Sequence, residues 1–172
     1  MNTPNNKRKK DSQKKIEKVF LNLIQTREIN EISVTDICKE CNLNRSTFYS
    51  NYVDVYDLAE KIKIKLENDV QDLFKEEREH NYNTNNFLKI FRHIKDNQIF
   101  YKTYFKLGFD KIHLIKYYDY NQAKEYYSNK HIDYHIEFFK AGFNAVILKW
   151  LKNGCIETPE EINEIIISEY KK

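Results

Sequence analysis

A chain with only three glycines and two prolines among 172 residues has few places at which to turn sharply. All-β domains reverse direction every ~8–12 residues, and tight reversals draw on residues that tolerate positive φ or pre-set the turn. Long helices joined by polar loops need far fewer. The scarcity of turn residues therefore predicts an all-α fold, in a chain whose 41% hydrophobic and 32% charged residues suit a packed protein. No apolar run approaches the ~18 residues of a membrane-spanning helix, so no membrane partner is expected. The start of the chain is polar and basic with no hydrophobic segment behind it, so no secretory signal is expected and the location reads as cytoplasmic. Cys38, Cys41 and Cys155 fit a reducing compartment. Cys38-x-x-Cys41 has no second pair and no nearby histidine, so it reads as two buried thiols one turn apart rather than a zinc site. Neither a metal nor a cofactor is expected.

Charge is unevenly placed. Residues 1–56 hold ten Lys/Arg against seven Asp/Glu, whereas residues 57–172 hold nineteen of each. The excess is densest from Lys7 to Lys18, with seven basic and two acidic residues. Residues 1–11 have no apolar periodicity and read as a disordered basic tail. Ile16, Val19, Phe20, Leu23 and Ile24 then recur at helical spacing, predicting a helix from about Ser12 to Arg27. Ser33 with Asp36 three residues on resembles a capping box, opening a very short helix, Val34 to Cys41. Asn42 can take the left-handed conformation that ends it, and Leu43 folds back on the core. Asn44 caps a third short helix, Arg45 to about Tyr52. Asp54 caps a fourth, which keeps an apolar face through Leu58, Ile62, Leu66, Val70, Leu73 and Phe74 to about Glu79. Two short helices split by a three-residue turn are the helix-turn-helix pattern, so residues 12–56 form that domain and residues 57–172 a helical regulatory and dimerisation domain.

Further along, helices are predicted over about Asn86–Lys95 and Gln98–Phe109, while residues 110–130 show no clean period. Ile132, Ile136, Phe139, Phe143, Val146, Ile147 and Trp150 restore it up to Asn153-Gly154, where Gly154 suits the left-handed position past a helix end. Thr158-Pro159-Glu160-Glu161 opens a last helix with a cap, a first-position proline and a reciprocal glutamate; Ile162, Ile165, Ile166 and Tyr170 form its apolar face.

The residues Val34-Thr35-Asp36-Ile37-Cys38 through Asn42-Leu43-Asn44-Arg45-Ser46-Thr47-Phe48-Tyr49-Ser50-Asn51-Tyr52 resemble the DNA-binding domain of the TetR family. The likeness is close over about residues 16–62; the ending, Trp150 to Glu161, looks like one C-terminal subgroup of that family. The resemblance implies a transcription regulator, a repressor that binds a palindromic operator in double-stranded DNA as a homodimer, with release by a small ligand whose identity the residues do not name. Two departures stand out. Asn42 occupies the turn position where Gly is usual, at little cost because Asn tolerates positive φ. Val55 stands where the start of helix four usually carries a phosphate-binding Lys.

Helix-turn-helix geometry assigns the contacts. The second helix enters the major groove with its N-terminal residues toward the bases, which here are Asn44, Arg45, Ser46 and Thr47, with Ser50 and Asn51 one turn later. Arg45 is the long donor fork among them and suits guanine. Phe48 falls between these and points into the core with Ile37, Leu43 and Tyr52. The Tyr49 hydroxyl reaches a phosphate, as the matching family position does, and Thr35 at a helix start can do the same. Lys7, Arg8, Lys9 and Lys10 are expected to compensate, as a phosphate-binding arm, for the Lys missing at Val55.

One short recognition helix buries too little surface for specific binding, so a two-fold dimer is expected. The last two helices offer the interface: Phe139, Gly142, Phe143, Val146, Trp150, Ile162, Ile165 and Ile166, with Ala141, Gly142 and Ala145 permitting close approach. Tyr101, Tyr104, Phe105, Phe109, Tyr117, Tyr118, Tyr126 and Tyr127 make the middle of the chain aromatic, as ligand clefts and ordinary cores both are. Against catalysis, His93, His113, His131 and His135 have no acidic partner at a diagnostic offset, even though His131 and His135 share i,i+4 spacing, and no glycine loop or nucleophile motif occurs. The alternative reading is a family member that has lost DNA binding and serves as a protein-interacting co-regulator; Val55 is its support.

Overall fold

In the computed structural model the structure describes residues 4–80, 87–109, 124 and 130–170. Every regular element among them is helical. The chain divides into two compact units, Met1–Leu66 and Glu67–Lys172.

The first unit begins with α1, Pro4–Leu23. The expected disordered tail is therefore corrected: the chain is helical from Pro4, eight residues ahead of Ser12. Proline suits a first helical position. Lys, Arg and Gln are good helix formers, and once Ile16, Phe20 and Ile24 are buried, extending an existing helix avoids a second nucleation cost. A 3₁₀ turn, Ile29–Glu31, follows, closed by Glu28 and Glu31 in a capping box; the sequence pattern did not point to it. Next come α2, Val34–Cys41, and α3, Arg45–Tyr49. The helix α4, Val55–Leu73, starts in the first unit. Asp54 Oδ1 accepts from the Asp57 N–H at 2.8 Å, as a cap should. The core of this unit is Ile16, Phe20, Ile24, Ile37, Phe48 and Leu58, all fully buried.

The second unit holds the end of α4 and the helices α5, Lys75–Glu79; α6, Leu88–Asp96; α7, Gln98–Lys106; α8, Ile132–Lys152; and α9, Pro159–Tyr170. The fourth helix is shorter than expected, because the chain turns at Phe74 and restarts as α5. Helix α6 packs on α9, and α7 on α8. Phe87 and Phe91 meet Phe143 with ring centroids 5.2 and 5.5 Å apart, and Phe91 meets the edge of Trp150 at 6.0 Å. Two polar groups near the helix ends find partners on other segments. The Phe87 N–H donates to the buried Asn163 Oδ1 at 3.1 Å, and Trp150 Nε1 donates to the Glu157 carbonyl at 3.1 Å. Gly154 lies at φ 77° while the Cys155 N–H reaches the Trp150 carbonyl at 2.9 Å, the left-handed stop anticipated there. The reciprocal bonds between Thr158 and Glu161, 2.7 and 3.2 Å, close the start of α9. No helix among the described residues is long and apolar enough to cross a membrane.

Candidate nucleic-acid interface

The turn between α2 and α3 is built from local chemistry. Ser33 Oγ accepts from the Asp36 N–H at 3.1 Å, and the Ser33 N–H donates back to Asp36 Oδ2 at 3.0 Å. The Ser33 hydroxyl also donates to Asp36 Oδ2 at 2.6 Å; that bond first, and the Ser33 N–H second, hold the Asp36 carboxyl below its usual range. Asn42 ends α2 in the left-handed region at φ 53°, and the Leu43 N–H returns to the Cys38 carbonyl at 3.0 Å. Cys38 and Cys41 are buried free thiols, both pushed above the usual range, chiefly by desolvation. Buried thiols of that kind are poor nucleophiles.

A five-residue helix cannot stand alone in water, so α3 depends on its anchor. Phe48 is that anchor, fully buried and in ring contact with Tyr49 at 5.7 Å and Tyr52 at 5.5 Å. Ile37 and Tyr52 are buried with it, and Leu43 is half-buried. The opposite side of α3 is polar: Asn44, Arg45, Ser46, Tyr49 and Ser50 are exposed, and Thr47 is half-buried. Asn44 occupies the cap position, yet its side chain makes no capping bond, which leaves the amide outside. Arg45 lies along the helix, its Nη2 donating to the Tyr49 hydroxyl at 3.2 Å with the guanidinium 5.8 Å from the ring centroid. The structure thus pairs the residue read as a base contact with the one read as a phosphate contact. Thr35 is exposed in the first turn of α2.

Asn51 is placed differently from the sequence expectation. Its Nδ2 donates to the Thr47 carbonyl at 2.7 Å, and its Oδ1 is buried with no hydrogen-bond partner. It satisfies a carbonyl at the end of α3, one of the groups a helix C-terminus leaves open, and does not face outward for base contact. The Ser50 hydroxyl donates to the same carbonyl at 2.8 Å but remains exposed.

The corner between α3 and α4 is held by residues that the sequence pattern did not single out. The Tyr52 hydroxyl bonds Glu17 at 3.3 Å, Lys65 pairs with the same carboxylate at 3.0 Å, and burial pushes the Tyr52 phenol well above its usual range. Lys61 donates to the Asn51 carbonyl at 3.0 Å and to Asp57 at 2.9 Å, with its ammonium 5.2 Å from the Tyr52 ring centroid. The i,i+4 spacing of Asp57 and Lys61 was a readable signal; the bond between Tyr52 and Glu17, 35 residues apart, had none. Val55 is 6% exposed, so this position, where the family commonly carries a cation, contributes here to the core. Lys7, Arg8, Lys9 and Lys10 are exposed on α1.

In the second unit, the residues read as a dimer interface divide. Phe139, Phe143, Trp150, Ile162 and Ile166 are buried inside the subunit, Gly142 and Val146 are half-buried, and Ile165 is exposed. The first five are corrected to core residues, because Phe87 and Phe91 of the same subunit already cover that face of α8. The outward side of α8 is apolar too: Tyr134 is 79% and Phe138 73% exposed, with Ala141, Ala145 and Leu148 following at helical spacing. Of the aromatic stretch, Tyr101 and Tyr104 are buried with their hydroxyls engaged, by His93 Nδ1 at 2.7 Å and Glu67 at 3.3 Å. Tyr117, Tyr118, Tyr126, Tyr127 and His113 lie outside the described residues.

Residues 81–168 match a family model for the C-terminal region of TetR-type proteins, described as "Transcriptional regulator C-terminal region". The chain is 30% identical over 126 residues to the HTH-type dhaKLM operon transcriptional activator DhaS of Lactococcus lactis subsp. lactis, an alignment spanning 72% of this chain and 66% of that protein. A solved structure, "Dihydroxyacetone kinase operon activator DhaS", superposes with a TM-score of 0.56 at 23% identity, covering 92% of this chain and 93% of that one, and shows that the fold is shared. With the family's C-terminal region matched over half the chain and a helix-turn-helix at its head, the chain belongs to the TetR family of transcriptional regulators.

Proposed function

We propose that this regulator binds operator DNA as a homodimer, reading bases with the outward side of α3. One observation carries the reading: a helix too short to fold alone is clamped by Phe48 so that Asn44, Arg45, Ser46 and Tyr49 face solvent together. A polar, cation-bearing helix displayed in this way is what the major groove accepts. Arg45 keeps further N–H donors for a guanine or a phosphate while Tyr49 steadies its guanidinium. Thr35, Thr47 and Ser50 supply flanking hydroxyls. The second copy is recruited through the outward apolar stripe of α8, Tyr134, Phe138, Ala141, Ala145 and Leu148, with Ile165 of α9. An exposed row of that length is costly in water unless covered, and two-fold pairing places two copies of α3 on a palindromic site.

The protein named DhaS is an activator, and that observation favours activation over the repression expected from the sequence. A small-molecule effector and a cytoplasmic location belong to the same reading. The test is a gel shift with duplex from the region upstream of the protein's own gene, alongside sedimentation of the free protein. A retarded complex that unlabelled upstream duplex competes away and unrelated duplex does not is the expected result, with a dimer in sedimentation. Equal binding to every duplex defeats the reading of bases by α3, and no binding to any duplex favours the co-regulator. A reporter fused to that region decides the sign, falling on gene deletion for an activator and rising for a repressor.

A further inference from the structure

The first turns of α1 break two rules of helix electrostatics at once. Lys7, Arg8, Lys9, Lys10 and Asp11 are all exposed, so no packing holds these turns. Positive side chains are unfavourable near the positive end of a helix dipole, and no acidic residue occupies the first turn. Lys7, Lys10, Lys14 and Lys18 follow at steps of three and four residues, which stacks like charges along one side. Turning 100° per residue, they fall within an arc of about 80° and form a row roughly 16 Å long. The row lies away from the face that buries Ile16, Phe20 and Leu23. Among the described residues, none of these four lysines has a carboxylate at ion-pair distance. Glu17, the nearest carboxylate after Asp11, is occupied by Lys65 and Tyr52. Asp11, four residues after Lys7 and three before Lys14, is the one other acidic residue on that side, so the four lysines leave it strongly and net positively charged; such local inconsistencies concentrate at functional surfaces.

We propose that α1 is a second, sequence-independent DNA-binding surface, in which Lys7, Lys10, Lys14 and Lys18 track a phosphate backbone. The proposal deepens the reading of α3 as a DNA reader and revises the expected arm: Lys14 and Lys18 join it, while Arg8 and Lys9 lie off the row. Ammonium groups act as point charges suited to phosphates, and a rigid row meets a backbone of repeating charge without reference to sequence. A membrane surface fits less well, because interfacial helices pair a basic face with exposed apolar side chains and α1 exposes no large hydrophobic residue among those described. The bond between Glu17 and Tyr52 ties α1 to the α3–α4 corner, so the row and the reading helix move as one unit.

The experiment compares full-length protein in three forms: wild type, Lys7→Gln/Lys10→Gln/Lys14→Gln/Lys18→Gln, and the off-row control Arg8→Gln/Lys9→Gln. Affinity is measured against salt for the upstream duplex, for an unrelated duplex of equal length, and for vesicles containing phosphatidylserine. The row variant should flatten the plot of log affinity against log salt by about 0.9 for each phosphate that is no longer neutralised, on both duplexes. The control should leave the slope close to wild type, and far-UV circular dichroism should show all three folded. An unchanged slope in the row variant overturns the proposal. So does an equal change per charge removed in both variants, since net charge alone then explains it, and so does a loss confined to vesicles. A responsive slope on the unrelated duplex without preference for the upstream one upholds the row and defeats the α3 reading. Retained preference with an unresponsive slope does the reverse.

Discussion

Replacing Phe48 by Ala should disconnect the recognition helix from its support. The ring is fully buried between α3 and the α3–α4 corner, and truncating a buried Phe to Ala costs about 3–5 kcal/mol, part of it for the cavity left behind. At ~0.05–0.15 kcal/mol per residue, a unit running from Met1 to Leu66 has a stability of only about 3–10 kcal/mol. The loss is therefore a large fraction of the total, from about a third to all of it, and α3 has no independent helicity to fall back on. With a urea slope of about 1 kcal/mol per molar for a unit this small, the midpoint should drop by about 3–5 M. Two probes separate the units, because Trp150 is the single tryptophan of the chain and lies in the second. Circular dichroism should lose an early fraction of its helical signal in Phe48→Ala while Trp150 fluorescence holds its wild-type transition. Binding to the upstream duplex should disappear under conditions in which Phe48→Leu, a smaller truncation that leaves a smaller cavity, still binds. A Phe48→Ala protein with wild-type dichroism midpoint and wild-type affinity would refute the claim that this ring positions α3.

Arg45→Ala should weaken binding to the upstream duplex roughly 5- to 150-fold and relax discrimination at one base pair, if its guanidinium reads a guanine; an equal loss on unrelated duplex in a gel shift would make it a phosphate contact instead. Phe138→Glu should leave helicity intact yet turn the dimer into a monomer in sedimentation, whereas Phe139→Ala should cost about 3–5 kcal/mol of stability as a core truncation. The Asp36 carboxyl is held below its ordinary 3.8 by the Ser33 hydroxyl and N–H, so the fold favours the ionised form. That stabilisation is complete above the unfolded value and is lost as pH falls through the lowered folded one. Thermal melts between about pH 5 and pH 2 should therefore show a shallower acid loss in Asp36→Asn than in wild type; parallel curves would remove the capping bonds from the explanation.

Much of this architecture could be read directly from residues that act on near neighbours. Ser33 with Asp36, Asn42 in its left-handed turn, Asp54 with Asp57, Gly154, and Thr158 with Glu161 all do in the structure what their chemistry suggests. Each concerns backbone groups within about one helical turn, where side-chain type decides the outcome without help from the rest of the fold. The start of α1 is the instructive failure: absence of apolar residues argued for a disordered tail, but helix extension needs no burial once a neighbouring turn is in place.

What tertiary structure alone decided was which of several equally periodic faces went inside. Helix α8 has apolar residues on both sides, Ile136, Phe139 and Phe143 on one and Tyr134, Phe138 and Leu148 on the other. Periodicity marks a helix as amphipathic but names no partner; Phe87 and Phe91 of the same subunit claimed the first face and left the second outward. Asn51 follows the exposed Ser50 just past the end of α3, yet its amide turned back to the Thr47 carbonyl. The clamp of Tyr52 and Lys65 on Glu17 joins residues 35 and 48 positions apart. Such pairings depend on where distant segments come to rest, because a side chain's environment is set by the packing of other elements and not by its own neighbours along the chain.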